Sequence, residues 1–218
     1  MTTGQKELPA GWKWVQLGSL CKQEKHRLES TSGAENLTVY GVSKVSGITE
    51  TGQFKSPDLS NYQLLDATWF AYNPYRVNIG SIGLCPEGLR GLVSPAYVIF
   101  SVDSQIILPS LLLAYLKSDI GLKQIKQRAK GTVRQTLRFD DMCLIDFPLP
   151  PLEEQKRIAG ILNKAEEIKK LREEADKKTE ELIPAIFHEM VGSRIKKGED
   201  LPGGWKWVNA GEVFDIQG

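Results

Sequence analysis

The chain has 218 residues, a formal net charge of +1 and an apolar share of 41%. That suffices for a sizeable core, which excludes intrinsic disorder, and the length holds one large domain or two small ones. Apolar runs such as 111–116 are too short to cross a bilayer, and the opening MTTGQKELPAGW lacks the apolar core of a signal peptide.

Cys21, Cys85 and Cys143 are odd in number and widely spaced, without a CxxC, which suits buried thiols in a reducing cytoplasm. Only His26 and His188 are present, and neither has a His or Cys neighbour at ligand spacing, so no metal site is expected. There is no P-loop, GxGxxG or HExxH, and no cofactor is expected. The Asn73-Pro74-Tyr75 tripeptide lacks the second proline of the base-holding loop of amino-methyltransferases, and no cofactor-binding glycine motif precedes it. Nothing forms a catalytic constellation, so the chain is not expected to be an enzyme.

In chain order, the first feature is LPAGWKWVQLG at 8–18, which returns as LPGGWKWVNAG at 201–211 with eight matched positions, two of them Trp. Two readings stand. One is a turn-plus-strand entry used twice in one fold. The other is that residues 1–200 form one complete unit and a second unit begins after them.

Short β-type runs follow at 37–42, 68–72, 97–102 and 144–147, separated by Gly- and Asn-rich turns. A helical stretch spans 109 to about 130, with Pro109 at its start and Gly121 as a break. This predicts an α+β domain over 1–150. Between 117 and 138 seven Lys and Arg face only Asp119, a local charge of +6. Such a stripe suits a phosphate-binding surface, and equally a solvated helix face.

Three loops carry binding chemistry. In YNPYRVNIGSIG (72–83), Arg76 suits guanine O6/N7 and Asn78 suits adenine N6/N7. In KGTVRQTLR (130–138), Gln135 is a second adenine-type reader among basic residues. In GVSKVSG (41–47), Lys44 and Ser46 alternate with Val, which would place both on one strand face. The expected base readers are Lys44, Ser46, Arg76, Asn78 and Gln135. The expected backbone clamps are Tyr75, Ser81, Lys130, Thr132, Arg134 and Arg138.

After Pro148-Leu149-Pro150-Pro151 the style changes. From 153 to about 191 small or apolar residues recur at Ile158, Ile161, Leu162, Ala165, Ile168, Leu171, Ala175, Thr179, Leu182 and Ile186. The spacing averages near 3.5, that of a coiled-coil seam, in a rod roughly 58 Å long. These residues, Thr179 apart, are the expected dimerisation set. The alternative is two ordinary helices broken at Pro184 and packed on the domain. Gly192 is the expected stop, giving a helix domain over 151–192, with a linker and the start of a second repeat over 193–218.

Together WxxxxLG, YNPYRVNIGSIG, VSPAYVIF, KGTVRQTL, FPLPPLEEQKRIAGIL and the helix ending IFHEMVG resemble the specificity (S) subunits of type I restriction–modification systems. The resemblance implies a non-catalytic, cytoplasmic DNA-recognition subunit that recruits methyltransferase (M) and restriction (R) subunits. A full member carries two target-recognition domains and two paired spacer helices. This sequence shows one of each, and the expectation is a homodimer on double-stranded DNA with an interrupted palindromic site. The resemblance also implies that 153–162 and 187–190 dock M subunits; for Ile161, Ala165 and Ile168 coiled-coil packing is preferred. Two rival readings remain: a coiled-coil fragment that binds M subunits without reading DNA, and an enzyme.

Overall fold

The computed structural model describes residues 7–27, 37–51, 59–131, 135–190, 203–206 and 208. The fold class is α+β, as expected. Among the described residues, ten short strands are followed or interrupted by three short helices and end in one long helix.

The first copy of the repeated phrase is a turn and a strand. Gly11 takes φ +82°, and the Trp12 amide donates to the Pro9 carbonyl at 3.1 Å. The positive φ is what Gly alone adopts without strain. Strand β1 (Lys13–Gln16) then pairs antiparallel with β10 (Asp146–Leu149), Trp14 opposite Pro148 and Val15 opposite Phe147. In the second copy Gly204 repeats the turn with φ +89°. Trp205 is exposed there, whereas Trp12 is half-buried.

A central four-stranded sheet runs in the order β2 (Cys21–Glu24), β9 (Val98–Val102), β6 (Phe70–Tyr72), β7 (Ile82–Leu84), all antiparallel. A second sheet runs β4 (Gly47–Glu50), β3 (Val39–Ser43), β8 (Gly91–Val93), β5 (Gln63–Leu65), with β3 parallel to β8. Side chains alternate along a strand, and both faces of the central sheet are used. Phe70, Tyr72 and Phe100 enter the larger core beneath the helices. Ala71 and Ile99 enter the smaller core shared with the second sheet. The result is three layers, helices on sheet on sheet, with β6 and β9 buried on both sides.

Helix α1 (Pro109–Lys117) begins at proline, whose fixed φ suits the first turn. Helix α2 (Asp119–Arg128) is capped by Ser118, whose Oγ accepts from the Gly121 amide at 3.2 Å. The break therefore falls at Ser118 and not at Gly121. Gly121 is what lets the two helices meet, because a Cβ there would lie 2.1 Å from the Tyr115 carbonyl oxygen. Helix α3 (Phe139–Cys143) is a single short turn that leads to β10.

Helix α4 (Leu152–Met190) is one unbroken helix of 39 residues that passes through Pro184, so the two-helix alternative does not hold. The stop expected at Gly192 lies outside the described residues. The chain divides into two compact units, Met1–Ile161 and Leu162–Gly218. That boundary lies beyond residue 150 because the first turns of α4 pack into the domain. Gln155 and Ala159 are buried, and Ile158 rests against the larger core. The Gln155 side chain accepts from the Leu108 amide at 2.8 Å and donates to the carbonyls of Ile106 (2.9 Å) and Pro150 (3.0 Å). This buried amide pins the helix to the loop before α1. Ile158, expected in the dimer seam, is half-buried and packs against the larger core of its own unit. From 162 to 190 every residue of α4 is exposed.

Candidate nucleic-acid interface

The loop after β6 is organised by its own backbone. The Asn73 carbonyl accepts from the amides of Arg76 (3.0 Å) and Val77 (2.9 Å), and the Asn73 side chain accepts from the Tyr75 amide at 2.9 Å. This is the turn that Asn makes when its side chain bonds the backbone two residues on. A 3-10 turn at Val77–Ile79 follows, with Val77 buried as its anchor. Arg76, Asn78 and the half-exposed Tyr75 are left pointing outward as a preformed group.

The basic loop at 130–138 closes on itself. Lys130 and Thr136 exchange backbone hydrogen bonds at 3.0 and 2.8 Å, making a neck. Thr132 and Arg134 lie outside the described residues. The two loops are then fastened together. The Leu137 amide donates to the Pro74 carbonyl at 3.1 Å, and the buried Tyr72 hydroxyl donates to the Leu137 carbonyl at 3.3 Å.

Two adjoining clefts result, sharing Tyr75. One, of about 480 Å³, is lined by Asn73, Tyr75, Arg76, Asn78 and Gln135. The other, of about 520 Å³, is lined by Tyr75, Lys130, Gly131, Thr136, Arg138 and Asp141. Six of the expected residues, Tyr75, Arg76, Asn78, Lys130, Gln135 and Arg138, are thereby brought together from segments far apart in sequence. Lys130 forms an ion pair with Asp141, a carboxylate held nearly buried by α3. Sequence reasoning missed Asp141 and Thr136, because an acid beside a basic stripe carries no signal of which lysine it meets.

Other expectations are corrected. Ser81 is buried, and its hydroxyl donates to the Val42 carbonyl at 2.9 Å. It staples the loop to β3 and is not an exposed clamp. Lys44 and Ser46 do not share a strand face: β3 ends at Ser43, and 44–46 form a turn closed by the Ser46 amide donating to Ser43 Oγ at 2.8 Å. Lys44 still lies beside the site, with its Cγ 3.6 Å from where a Cβ on Gly80 would stand. The +6 stripe is also partly spent within the protein. Arg128 donates from Nε to the Leu144 carbonyl at 2.9 Å and lies 3.5 Å from Asp146.

Chemically, this is a recognition surface. It offers the forked donors of a guanidinium, two carboxamides that donate and accept, one exposed aromatic ring and cations at the rim, which is the side-chain set for base edges and phosphates. Among the described residues, no three His, Cys, Asp or Glu side chains gather into a metal-holding group, and no helix is long and apolar enough to cross a membrane.

Residues 9–180 match the type I restriction modification DNA specificity domain, and the chain belongs to that family. Among curated relatives, the type I restriction enzyme MjaVIII specificity subunit of Methanocaldococcus jannaschii is 33% identical over 150 residues, covering 64% of this chain and 34% of that protein. The EcoBI specificity subunit of Escherichia coli is 32% identical over 80 residues, covering 37% of this chain and 17% of that protein. Among solved structures, the HsdS subunit from Thermoanaerobacter tengcongensis matches 97% of this chain and 56% of its own at 28% identity and TM-score 0.56. A chain from work on assembly and conformational transition of the type I R-M system matches 96% of this chain and 56% of its own, at 27% identity and TM-score 0.60. The chain therefore spans just over half of those two solved chains and about a third or less of the curated relatives.

Proposed function

We propose that the globular unit reads one half of an interrupted double-stranded DNA site through the paired clefts, and that α4 joins two copies of the chain. Arg76, Asn78 and Gln135 contact base edges, with Lys44 and Ser46 reaching the duplex from the neighbouring turn. Tyr75, Lys130, Thr132, Arg134 and Arg138 hold sugar and phosphate. The domains divide into recognition over 1–150, a spacer and dimerisation helix over 151–192, and the start of a second repeat over 193–218. The assembled dimer recruits methyltransferase and restriction subunits in the cytoplasm. The single observation that carries this reading is the hydrogen-bonded fastening of the 72–80 loop to the 130–138 loop, which gathers six polar or aromatic residues into one surface.

A two-fold pair of identical reading heads requires a target with the same symmetry. The test is co-expression of this chain with a cognate methyltransferase subunit, followed by mapping of methylated adenines across the host genome. An interrupted palindrome is the expected result. An asymmetric bipartite site overturns the two-copy arrangement. No methylation, with both proteins soluble and associated, favours an interaction module that does not read DNA.

A further inference from the structure

The hairpin between β3 and β4 ends in an apolar tip. Ser43 stands opposite Gly47, so Lys44, Val45 and Ser46 form the turn, with Val45 in the middle of it. Val45 is 89% exposed, the highest value of any large apolar side chain among the described residues. A lone exposed valine is ordinary on a protein surface. Its residue type, its mounting and its neighbours set this one apart.

Exposed turns favour Gly, Asn, Asp and Ser, each for a backbone reason. Here those tasks are already taken. Gly47 adopts the positive φ of +66°, and Ser43 Oγ accepts from the Ser46 amide at 2.8 Å. Closing the turn asks nothing of residue 45, and an isoleucine-like branched side chain held in water there adds nothing to the core.

The tip is fastened on several sides. Just before the turn, the Ser81 hydroxyl donates to the Val42 carbonyl at 2.9 Å. At the end of α1, Lys117 Nζ donates to the Lys44 carbonyl at 3.4 Å. Strand β4 lies against β7 so closely that a Cβ on Gly83 would stand 2.8 Å from the Ile48 nitrogen and 3.0 Å from the Gly47 carbonyl carbon. Lys44 also flanks Gly80, the residue that closes the 3-10 turn carrying Asn78. The apex is therefore held in place beside Arg76 and Asn78 without any ligand.

Those neighbours define what a valine could meet. The edges that suit Arg76, Asn78 and Gln135, guanine O6/N7 and adenine N6/N7, lie in the major groove. A valine side chain neither donates nor accepts a hydrogen bond, and the one apolar group on a base edge in that groove is the C5-methyl of thymine.

We propose that Val45 is a specificity-determining residue whose side chain contacts the C5-methyl of one thymine in each half-site. This rests on the DNA reading above and adds a base and the atom by which it is read.

The contact can be broken from either side, because deoxyuridine is thymidine without that methyl. Wild type and Val45→Ala, each assembled with methyltransferase subunits, would be titrated by fluorescence anisotropy against the site selected by the wild type. Further duplexes would carry deoxyuridine in place of each thymine in turn. At one thymine of each half-site the replacement is expected to raise the wild-type Kd about fourfold per methyl removed. Val45→Ala is expected to bind the thymine duplex more weakly than wild type and to lose less than about twofold more at that position. Substitution at so exposed a residue leaves folding intact, so the comparison reads binding. A wild type insensitive to every replacement overturns the contact; if Val45→Ala still weakens binding, the tip acts as an apolar wedge between base steps instead. Full discrimination against deoxyuridine retained by Val45→Ala overturns it, as does a selected site without thymine. In each of these cases sequence selection by the wild type leaves the DNA reading standing, whereas a wild type that selects no site overturns both.

Discussion

Leu137 and Pro74, 63 positions apart in sequence, are joined by a 3.1 Å hydrogen bond from the Leu137 amide to the Pro74 carbonyl. The Leu137 carbonyl in turn accepts from the buried Tyr72 hydroxyl at 3.3 Å. Leu137 is itself fully buried in the larger core. The consequence is mechanical. The loop carrying Arg76 and Asn78 and the loop carrying Gln135 and Arg138 share one anchor, so their side chains keep a fixed spacing before any ligand arrives. Recognition elements held this way lose little conformational freedom on binding.

Tyr72→Phe removes the hydroxyl and leaves a buried carbonyl with no side-chain donor. Its expected cost in urea unfolding is about 1 kcal/mol. Tyr75→Ala, at a half-exposed site three residues on, is expected to stay within about 0.5 kcal/mol of wild type. Equal costs for the two would contradict the anchoring role of Tyr72.

Gln155→Leu keeps the volume but deprives the Leu108 amide and the Ile106 and Pro150 carbonyls of their partner. Stranded buried groups are costly, and a loss of about 2–4 kcal/mol is expected, read from the denaturation midpoint at an unchanged slope. A loss under about 0.5 kcal/mol would show that α4 is held to the domain by its apolar contacts alone.

Two glycines with opposite surroundings give a paired test. Gly121→Ala forces a methyl against the Tyr115 carbonyl, so α1 and α2 must part, and about 2 kcal/mol or more is expected to be lost. Gly160→Ala lies on an exposed face of α4 with nothing within 4 Å and should stabilise by roughly 0.5–1 kcal/mol. Thermal unfolding of the two variants should move in opposite directions.

These contrasts show what the sequence could and could not reveal. The helix from 152 to 190 was legible because a 3.5-residue repeat is a strong local signal. The strands at 39–43, 70–72 and 98–102 were legible as apolar runs. Strands β4, β5, β7 and β8 are only three or four residues long, held by neighbours rather than by their own pattern, and were not. That Ile158 packs against its own unit was not legible, because periodicity reports a buried face and not what covers it. Ser81 was misread for a related reason: a serine in a Gly-rich loop looks the same whether its hydroxyl faces solvent or a buried carbonyl. Lys44 and Ser46 were placed on a strand because alternation continued past Ser43, yet Gly47, with φ +66°, marks the turn that ends it. Residues of the clefts were identified by chemistry, but their convergence depends on the Leu137–Pro74 contact, which no local pattern encodes.

Glu24 gives the domain an acid-sensitive point. Burial pushes its carboxyl pKa up, but hydrogen bonds with Ser101 (2.7 Å) and His26 (2.9 Å), together with the Lys22 charge, more than offset this and hold it below the ordinary value. The folded carboxyl thus binds a proton less readily than the unfolded one. Its stabilising contribution is complete above the unfolded pKa of about 4.3 and is lost as pH falls through the lower folded value. Glu24→Gln should therefore lose less stability than wild type between pH 5 and pH 3, as measured by denaturant titration at each pH. A steeper loss in the variant would reverse the sign assigned here.

The central claim is that the fastened loops read base identity, and selection from a randomised DNA library by the assembled methyltransferase complex tests it most directly. Wild type, Gln135→Ala and Arg138→Ala would be compared. Gln135→Ala should relax preference at one position of each half-site, worth about 1–3 kcal/mol, and leave the other positions intact. Arg138→Ala should weaken all sequences together and flatten the salt dependence by about one unit. Unchanged preference at every position with Gln135→Ala, beside an unchanged salt slope with Arg138→Ala, would place DNA recognition on another surface of the domain.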